Sequence, residues 1–195
     1  MEFDEEKANN KEYVLEMVEK QGSLLDYASD ELKNDKDIVL AAIHQDGNAL
    51  EFAGKKLKDD KEVVLESIKK VGWTACYVSS RLSDDKEVML DAVKIDGQEL
   101  YYASKQLRDD YDVVLAAVKN KGLILKYASK RLRANREIAE AAVANDKRAI
   151  EYISDENLKA ELSKEEENWN KGTHKSFQKW NDLCVPFVSI FLNKI

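Results

Sequence analysis

The chain has 195 residues and a net charge of −7, with 31 Lys and Arg side chains against 38 Asp and Glu. This acidic balance argues against nonspecific duplex binding as the main role, because affinity for phosphates arises from counterions released at basic sites. One Pro, 7 Gly, 2 Cys and 2 His argue against a many-stranded sheet, a disulfide framework and histidine-rich metal chemistry, so an all-α protein is expected.

Residues 1–9 form a short N-terminal lead-in. The opening sequence MEFDEEKANNKE is acidic and lacks the basic and apolar segments of a secretory signal peptide. We therefore expect a cytoplasmic protein, with secretion as an effector left open.

From residue 10 the chain repeats with a period of 25 residues. Glycines recur at that spacing, at Gly22, Gly47, Gly72, Gly97 and Gly122. An aromatic residue follows each glycine by five positions, in the series Tyr27, Phe52, Tyr77, Tyr102 and Tyr127, which Tyr152 extends. The spacing has no insertion and predicts six repeat units, over 10–34, 35–59, 60–84, 85–109, 110–134 and 135–159.

Each unit is predicted to be a helical hairpin with about ten residues per arm. In the unit 35–59, one apolar stripe has helical spacing at Ile38, Val39, Ala42 and Ile43. A second stripe, at Ala49, Leu50, Ala53 and Leu57, predicts a second short helix. Helices this short rarely persist alone in water, so the units are expected to stack into an α-solenoid, with the repeated Tyr or Phe filling the space between hairpins.

The first helix of each unit carries start and stop signals. An acidic or Asn residue precedes it, at Asn34, Asp59, Asp84 and Asp109, and an acidic residue follows three positions later, which resembles a capping box. Gly47 stands where a left-handed residue would end the helix. The sixth unit departs from the pattern, since Lys147 replaces Gly, Glu140 replaces Leu and Ala134 replaces the capping Asp, as terminal repeats often do.

The repeat pattern D-[KY]-[DE]-[VI]-[VM]-L-x-[AS]-[VI]-x-x-x-G-x-x-L-x-[YF]-[AV]-S-x-x-L resembles the tandem helical hairpins of the Domain of Unknown Function 4116 (DUF4116) family. The resemblance covers residues 10–159 and is strongest over 35–134. It implies a bacterial-type, all-helical repeat protein with no established activity, and it assigns no catalytic residue.

Residues 160–195 lie outside the resemblance and are predicted to form a C-terminal helical extension. The segment 158–170 has a charged helical pattern, 171–175 is an expected break, and apolar residues then recur with helical spacing, among them Trp180, Phe187 and Phe191. The apolar run is too short to span a membrane. Three roles stay open, namely a cap on the last repeat, a helix that docks on a partner or dimerises, and attachment to a membrane surface.

No nucleophile motif, phosphate loop, zinc spacing or paired-carboxylate signature occurs, so we expect no catalytic residue, cofactor or metal, and no enzyme. A reactive thiol at Cys76 is disfavoured against a tolerated surface residue. His44 falls at a position that is charged in other units, and His174 has no neighbouring metal ligand in the sequence.

Function is expected from the variable positions of the second arm, since the repeated positions build the stack. These variable positions become aromatic, apolar and then basic through the middle units, at Trp73, Tyr101, Leu123, Lys126 and Lys130. Because Trp and Tyr are enriched in binding hot spots, the sequence predicts a protein-binding module, an adaptor or an inhibitor. The alternatives are a small acidic phage or pathogen inhibitor that blocks a basic nuclease or nucleic-acid channel, and an RNA or DNA binder that uses the basic fifth unit, 110–134.

Overall fold

The computed structural model describes residues 3–71 and 76–170. Regular secondary structure in these ranges is entirely helical and arranged in tandem repeats, with no β-strand. The α-helices are α1 (Lys11–Lys20), α2 (Lys36–Gln45), α3 (Lys61–Val71), α4 (Lys86–Ile95), α5 (Tyr111–Asn120), α6 (Lys130–Arg133), α7 (Arg136–Asn145) and α8 (Glu156–Asn170). Except for the short α6, the helices before α8 lie one to a predicted unit, where the first apolar stripe places them.

Within the described residues, the second arms differ from the prediction, because they consist of short 3₁₀ segments, with one short α-helix in the fifth unit, instead of a ten-residue α-helix. A first set of segments spans Gly22–Tyr27, Gly47–Phe52, Gly97–Tyr101, Gly122–Tyr127 and Lys147–Tyr152. A second set spans Leu32–Asn34, Leu57–Asp59, Leu82–Asp84 and Leu107–Asp109, with α6 in the corresponding place of the fifth unit. Extended residues such as Ala53, with φ −64° and ψ 150°, separate the two segments and break the α-helical hydrogen-bond pattern.

The helix caps lie one residue later than predicted. The carboxylate of Asp35 accepts hydrogen bonds from the backbone N–H groups of Asp37 and Ile38, and so caps α2. Equivalent residues cap α1, α3, α4, α5 and α7, namely Asn10, Asp60, Asp85, Asp110 and Asn135. The sixth unit therefore keeps its cap, and Ala134 replaces no capping residue.

The residues predicted as caps connect neighbouring units instead. Asp59, Asp84 and Asp109 accept hydrogen bonds from the hydroxyl groups of serines in the following unit, Ser79, Ser104 and Ser129. A serine or glycine at this position also donates its backbone N–H to a carbonyl 21 residues earlier, as from Ser104 to Ser83 at 3.0 Å. Each unit is thus tied to its predecessor through both main chain and side chain.

The repeated glycine is not left-handed, contrary to the prediction. The helix α2 ends at Gln45, and Asp46, the residue between it and Gly47, is extended with φ −141° and ψ 110°. Gly is required here by close packing, since a Cβ on Gly22 would lie 2.4 Å from the carbonyl oxygen of Ala42 in the next unit. At Gly122 the corresponding distance to the Ala142 oxygen is 2.2 Å.

The buried side chains form two clusters, one within residues 14–92 and one within 89–162, which meet at α4. Phe52, Tyr77, Tyr127 and Tyr152 pack against these clusters as predicted. Tyr27 and Tyr102 differ, since 53% and 42% of their surfaces remain exposed.

Both ends of the repeated region are covered by neighbouring chain. In the lead-in, the ring of Phe3 stacks on Tyr27 at 5.6 Å, and the Ser29 N–H donates to the Ala8 carbonyl at 2.9 Å. At the other end α8 begins at Glu156, four residues before the predicted boundary at 160, and buries Leu158 and Leu162 in the second cluster. Among the described helices, none is both long and apolar enough to cross a membrane.

Candidate functional site

The structure describes four of the five residues predicted to bind a partner. Tyr101, Lys126 and Lys130 are exposed, and Leu123 is half-buried. Trp73 lies outside the described residues, and so do Trp180, Phe187 and Phe191 of the alternative C-terminal docking surface.

Three tyrosines from two neighbouring units come together around Tyr101, and we call them the tyrosine cluster: Tyr101, Tyr102 and Tyr127. The ring of Tyr101 lies edge-on to Tyr102 at 5.0 Å and edge-on to Tyr127 at 4.9 Å. The two 3₁₀ segments bring these rings together, since Gly97–Tyr101 packs against Gly122–Tyr127 and each segment has a tyrosine at its end. The ammonium group of Lys126 lies 4.7 Å from the centre of the Tyr127 ring.

A cavity of about 340 Å³ opens beside the tyrosine cluster. The rings of the cluster line it together with Asp96, Gln98, Glu99 and Ile124. Units 85–109 and 110–134 therefore share a surface on which tyrosine rings and carboxylates surround one space.

Asp96 is fixed at the rim by local hydrogen bonds. Its carboxylate accepts the backbone N–H of Gln98 at 2.9 Å, which caps the 3₁₀ segment Gly97–Tyr101. Lys121 of the next unit lies 3.9 Å from the same carboxylate and donates a hydrogen bond to the side-chain oxygen of Gln98. The rim is therefore polar and held in place from both units.

Glu99 is the site residue that the sequence interpretation missed. Only 3% of its surface is exposed, and one side of its surroundings is the cavity. The described residues at the equivalent position of other units are apolar and buried: Leu24, Ala49, Ile124 and Ala149. The signal was available in the sequence, since Glu99 is the one acidic residue in a column of the repeat that otherwise holds four apolar residues and Thr74.

Burial and the negative charge of Glu99 raise the pKa values of two side chains, Tyr102 and Cys76. Burial raises the pKa of the Tyr102 hydroxyl, and the nearby charge of Glu99 raises it further. Burial likewise raises the pKa of the Cys76 thiol, again with Glu99 contributing. A raised pKa keeps this thiol protonated, which opposes the nucleophilic role.

Tyr77 lies in the unit before the tyrosine cluster and is held by a hydrogen bond to a carboxylate, whereas the rings of the cluster pack on one another. Its hydroxyl donates a hydrogen bond to the Glu51 carboxylate at 3.1 Å. Burial, followed by this hydrogen bond, raises the pKa of Tyr77 to about 12. Its phenol therefore stays neutral throughout the physiological range.

Part of the basic charge of unit 110–134 is committed to internal contacts. The guanidinium group of Arg131 pairs with Asp109 at 3.1 Å and donates to the Asp109 carbonyl at 2.7 Å. Arg133 is half-buried and its guanidinium lies 3.5 Å from the Tyr152 carbonyl. Two lysines remain exposed, namely Lys126, whose ammonium group lies over the Tyr127 ring, and Lys130, which follows Tyr127 in the sequence.

The remaining candidate groups stay apart from this cavity. The His44 side chain is exposed and lies 4.0 Å from Glu66. Within residues 3–71 and 76–170, no group of His, Cys, Asp and Glu side chains could hold a metal ion.

Taken together, the repeated helices and the site on their variable positions define an all-helical tandem-repeat protein. The chain belongs to the family described as a domain of unknown function (DUF4116), whose model matches residues 10–58, 60–108 and 110–159. Each of the three matches covers two of the 25-residue periods. No curated protein and no solved structure matches the chain.

Proposed function

We propose that the chain is a non-catalytic protein-binding module, an adaptor or an inhibitor, built as one α-solenoid of six units with a C-terminal helical cap. The contacts between successive helices support the solenoid, since α1 packs on α2, α2 on α3, α3 on α4, α4 on α5 and α5 on α7. The burial of Leu158 and Leu162 by α8 supports the cap. In such an array the repeated positions build the stack and the variable positions face possible partners.

The tyrosine cluster is the observation that carries the binding function. Tyr101 and Tyr102 are among the few large hydrophobic side chains that stay exposed in the described residues, at 53% and 42%. Tyr side chains supply much contact area with only two rotatable side-chain angles, and they are enriched in hot spots. Leu123 and Lys126 extend the surface along the next unit.

The nucleic-acid alternative has less support from the contacts. Arg131 and Arg133 already interact with Asp109 and Tyr152, which reduces the basic charge that the fifth unit can offer to phosphates. Two lysines in a chain of net charge −7 form a weak site for a phosphate backbone. The acidic inhibitor role remains a variant of the protein-binding proposal, in which the partner surface is basic.

The proposal predicts that Tyr101→Ala abolishes retention of a protein partner, because it removes the central ring of the tyrosine cluster. The tagged full chain and its variants would be used to capture partners from host lysate, with and without nuclease, and captured proteins would be quantified by mass spectrometry. Tyr27→Ala is the matched control, since Tyr27 is equally exposed at 53% and also loses an aromatic contact, with Phe3.

The expected result is a near-stoichiometric protein that survives nuclease, is retained by Tyr27→Ala and is lost with Tyr101→Ala. Both variants should melt within about 3 °C of the wild type, because both side chains are half exposed. Equal retention by the two variants would contradict the proposed surface. Recovery that depends on intact nucleic acid would instead favour the basic unit.

A further inference from the structure

We propose that the array has one hinge, at the junction between units 60–84 and 85–109, and that the units from 85 to 159 move as one block. The inference concerns the stack itself, so it holds or fails independently of any partner. It rests on a polar contact that joins neighbouring units at other junctions and that the residues at this junction cannot make.

An amide side chain at the last residue of an α-helix joins neighbouring units, and we call this contact the amide latch. The side-chain oxygen of Asn120 accepts the backbone N–H of Gly97, one unit earlier, at 2.9 Å. Its NH₂ group donates to the carbonyls of Lys94 and Ile95 at the end of α4, at 3.0 and 3.3 Å. One side chain therefore holds both the end of the preceding helix and the glycine that follows it.

The amide latch recurs at two other junctions. Asn145 accepts the N–H of Gly122 at 2.6 Å and donates to two carbonyls at the end of α5. Gln45 accepts the N–H of Gly22 at 2.6 Å. A junction with the latch is thus tied at the end where its α-helices finish.

At the remaining two junctions the latch position holds Lys70 and Ile95, whose side chains have no oxygen to accept a hydrogen bond. The first of these junctions has a substitute, because the buried hydroxyl of Ser67 donates to the carbonyl of Gly47 in the preceding unit at 2.8 Å. At the second junction the residue equivalent to Ser67 is Ala92, so neither position can supply a polar link. Ile95 is also 49% exposed, so burial of its side chain does not replace the latch.

The junction without a latch is tied at the opposite end of its helices. Lys61, the first residue of α3, contacts Asp85, the cap of α4, at 2.8 Å. The neighbouring carboxylate of Asp84 accepts the hydroxyl of Ser104. Because these links join the N-terminal ends of α3 and α4 and the latch is missing at the C-terminal ends, the two helices can separate at the C-terminal ends about the linked ones.

The buried side chains divide at the same place. Within the described residues, one buried cluster includes Val88 and Ala92 of α4, and the other includes Met89 and Val93. The helix α4 is therefore where two cores meet. The tyrosine cluster lies in the block after the hinge and spans a latched junction, so bending leaves the cluster intact and moves the preceding units relative to it. A partner that contacts both sides of the hinge would favour one bend of the array.

Distances between matched pairs of spin labels test the hinge in the full chain. Lys69, Lys94 and Lys119 occupy equivalent exposed positions near the ends of α3, α4 and α5. The pair Lys69→Cys and Lys94→Cys spans the hinge, whereas the pair Lys94→Cys and Lys119→Cys spans a latched junction. Both pairs are made together with Cys76→Ser and Cys184→Ser. Dipolar EPR should give a distance distribution at least about twofold broader across the hinge than across the latched junction.

Two substitutions exchange the residues that distinguish the junctions. Ile95→Asn introduces the amide at an exposed position, and the distribution across the hinge should narrow to the width found across the latched junction. Asn120→Ile removes the latch at the next junction and should broaden the distribution there about twofold. Ile95→Leu is the matched control and should leave both distributions as they are in the wild type.

Equal widths for the two label pairs in the wild type would overturn the hinge, and so would an unchanged distribution across it in Ile95→Asn. Narrowing with Ile95→Leu as well as with Ile95→Asn would also overturn it, because the amide would then not be the cause. Circular dichroism checks that each labelled variant keeps its helices. Should Asn120→Ile lose them, the comparison of the wild type with Ile95→Asn and Ile95→Leu decides the question alone.

Discussion

Individual residues of the repeat are constrained by atoms of the next unit. The repeated glycine faces the helix that lies one unit ahead. At Gly22, Gly97 and Gly122 a Cβ would meet a main-chain carbonyl oxygen of that helix, and at Gly47 it would meet the side chains of Lys70 and Val71. Backbone conformation plays no part in this requirement, because Gly22, Gly47, Gly97 and Gly122 all lie outside the left-handed region. The residue type was evident from the sequence, whereas its reason depends on a contact 20 residues away.

Gly122→Ala should be strongly destabilising, by about 3 kcal/mol, because a Cβ there would lie 2.2 Å from the Ala142 oxygen and the backbone of one unit would have to shift. Urea denaturation measures the loss. Gly54→Ser is the matched control, since the three atoms nearest to its Cβ all belong to the side chain of Asn34, which can move aside, and serine stands at this position in the other units. A Gly122→Ala protein as stable as the control would disprove the close-packing explanation.

At the scale of the element, each α-helix depends on one polar residue at its start. Asp85 combines two functions, since it caps α4 and also accepts a hydrogen bond from Lys61 of the preceding unit at 2.8 Å. Asp84 has a different role and accepts the Ser104 hydroxyl. Two adjacent aspartates therefore look interchangeable in the sequence but have separate functions, one within a helix and one between units.

Asp85→Ala should destabilise the protein by about 1–2 kcal/mol, because the first backbone N–H groups of α4 lose their acceptor. Asp84→Ala should cost less, since it removes one exposed hydrogen bond and leaves the cap intact. Thermal or urea denaturation of the two variants separates the assignments. A larger loss of stability for Asp84→Ala than for Asp85→Ala would instead support Asp84, the residue predicted from the sequence, as the cap of α4.

Over the whole molecule, successive units are joined by a row of lysines. Lys36 reaches Asp60 at 2.9 Å and Glu62 at 2.8 Å, which stand at and beside the next cap. Three further lysines, Lys11, Lys61 and Lys86, make the same double contact one unit ahead. Single exposed ion pairs contribute little to stability, so the importance of this row lies in its repetition along the array.

The row predicts a loss of stability in acid. The hydrogen bond from Lys11 lowers the pKa of Asp35. Burial by itself would raise the pKa values of three further caps, Asp60, Asp85 and Asp110. Hydrogen bonds from lysines and from backbone N–H groups outweigh burial there, so each pKa lies below the ordinary 3.8. A carboxyl with a lowered pKa contributes stability that is complete well above 3.8 and is lost as the pH falls through its folded-state value. Urea midpoints measured from pH 7 to pH 2 should therefore decline mainly below about pH 4.

Asp85→Asn provides the control for this acid dependence. Asparagine keeps the capping oxygen, as Asn10 and Asn135 do in this chain, but cannot be protonated in this range. The variant should show a shallower decline in acid than the wild type. An identical pH profile would mean that Asp85 does not contribute to the acid dependence.

The sequence by itself determined the 25-residue period, the all-helical class, the family and the places of helices α1–α5 and α7. It could do so because apolar stripes and start signals act within about ten residues of chain. It also identified Tyr101 as a candidate, since variable aromatic residues stand out against a repeated background.

Only the tertiary structure decided the 3₁₀ form of the second arm, the reason for the glycines, the position of the caps and the cavity with Glu99. The glycines and the cavity depend on residues of neighbouring units that meet only when the units pack, as Tyr101 meets Tyr127 and Gly122 meets Ala142. The caps are local contacts, but two adjacent polar residues precede each helix, and the choice between them depends on which one turns to the neighbouring unit, as Asp84 does to Ser104. A repeat in sequence reveals which positions are equivalent, but contacts between equivalent positions arise from the rotation and separation of packed units, which no local pattern encodes.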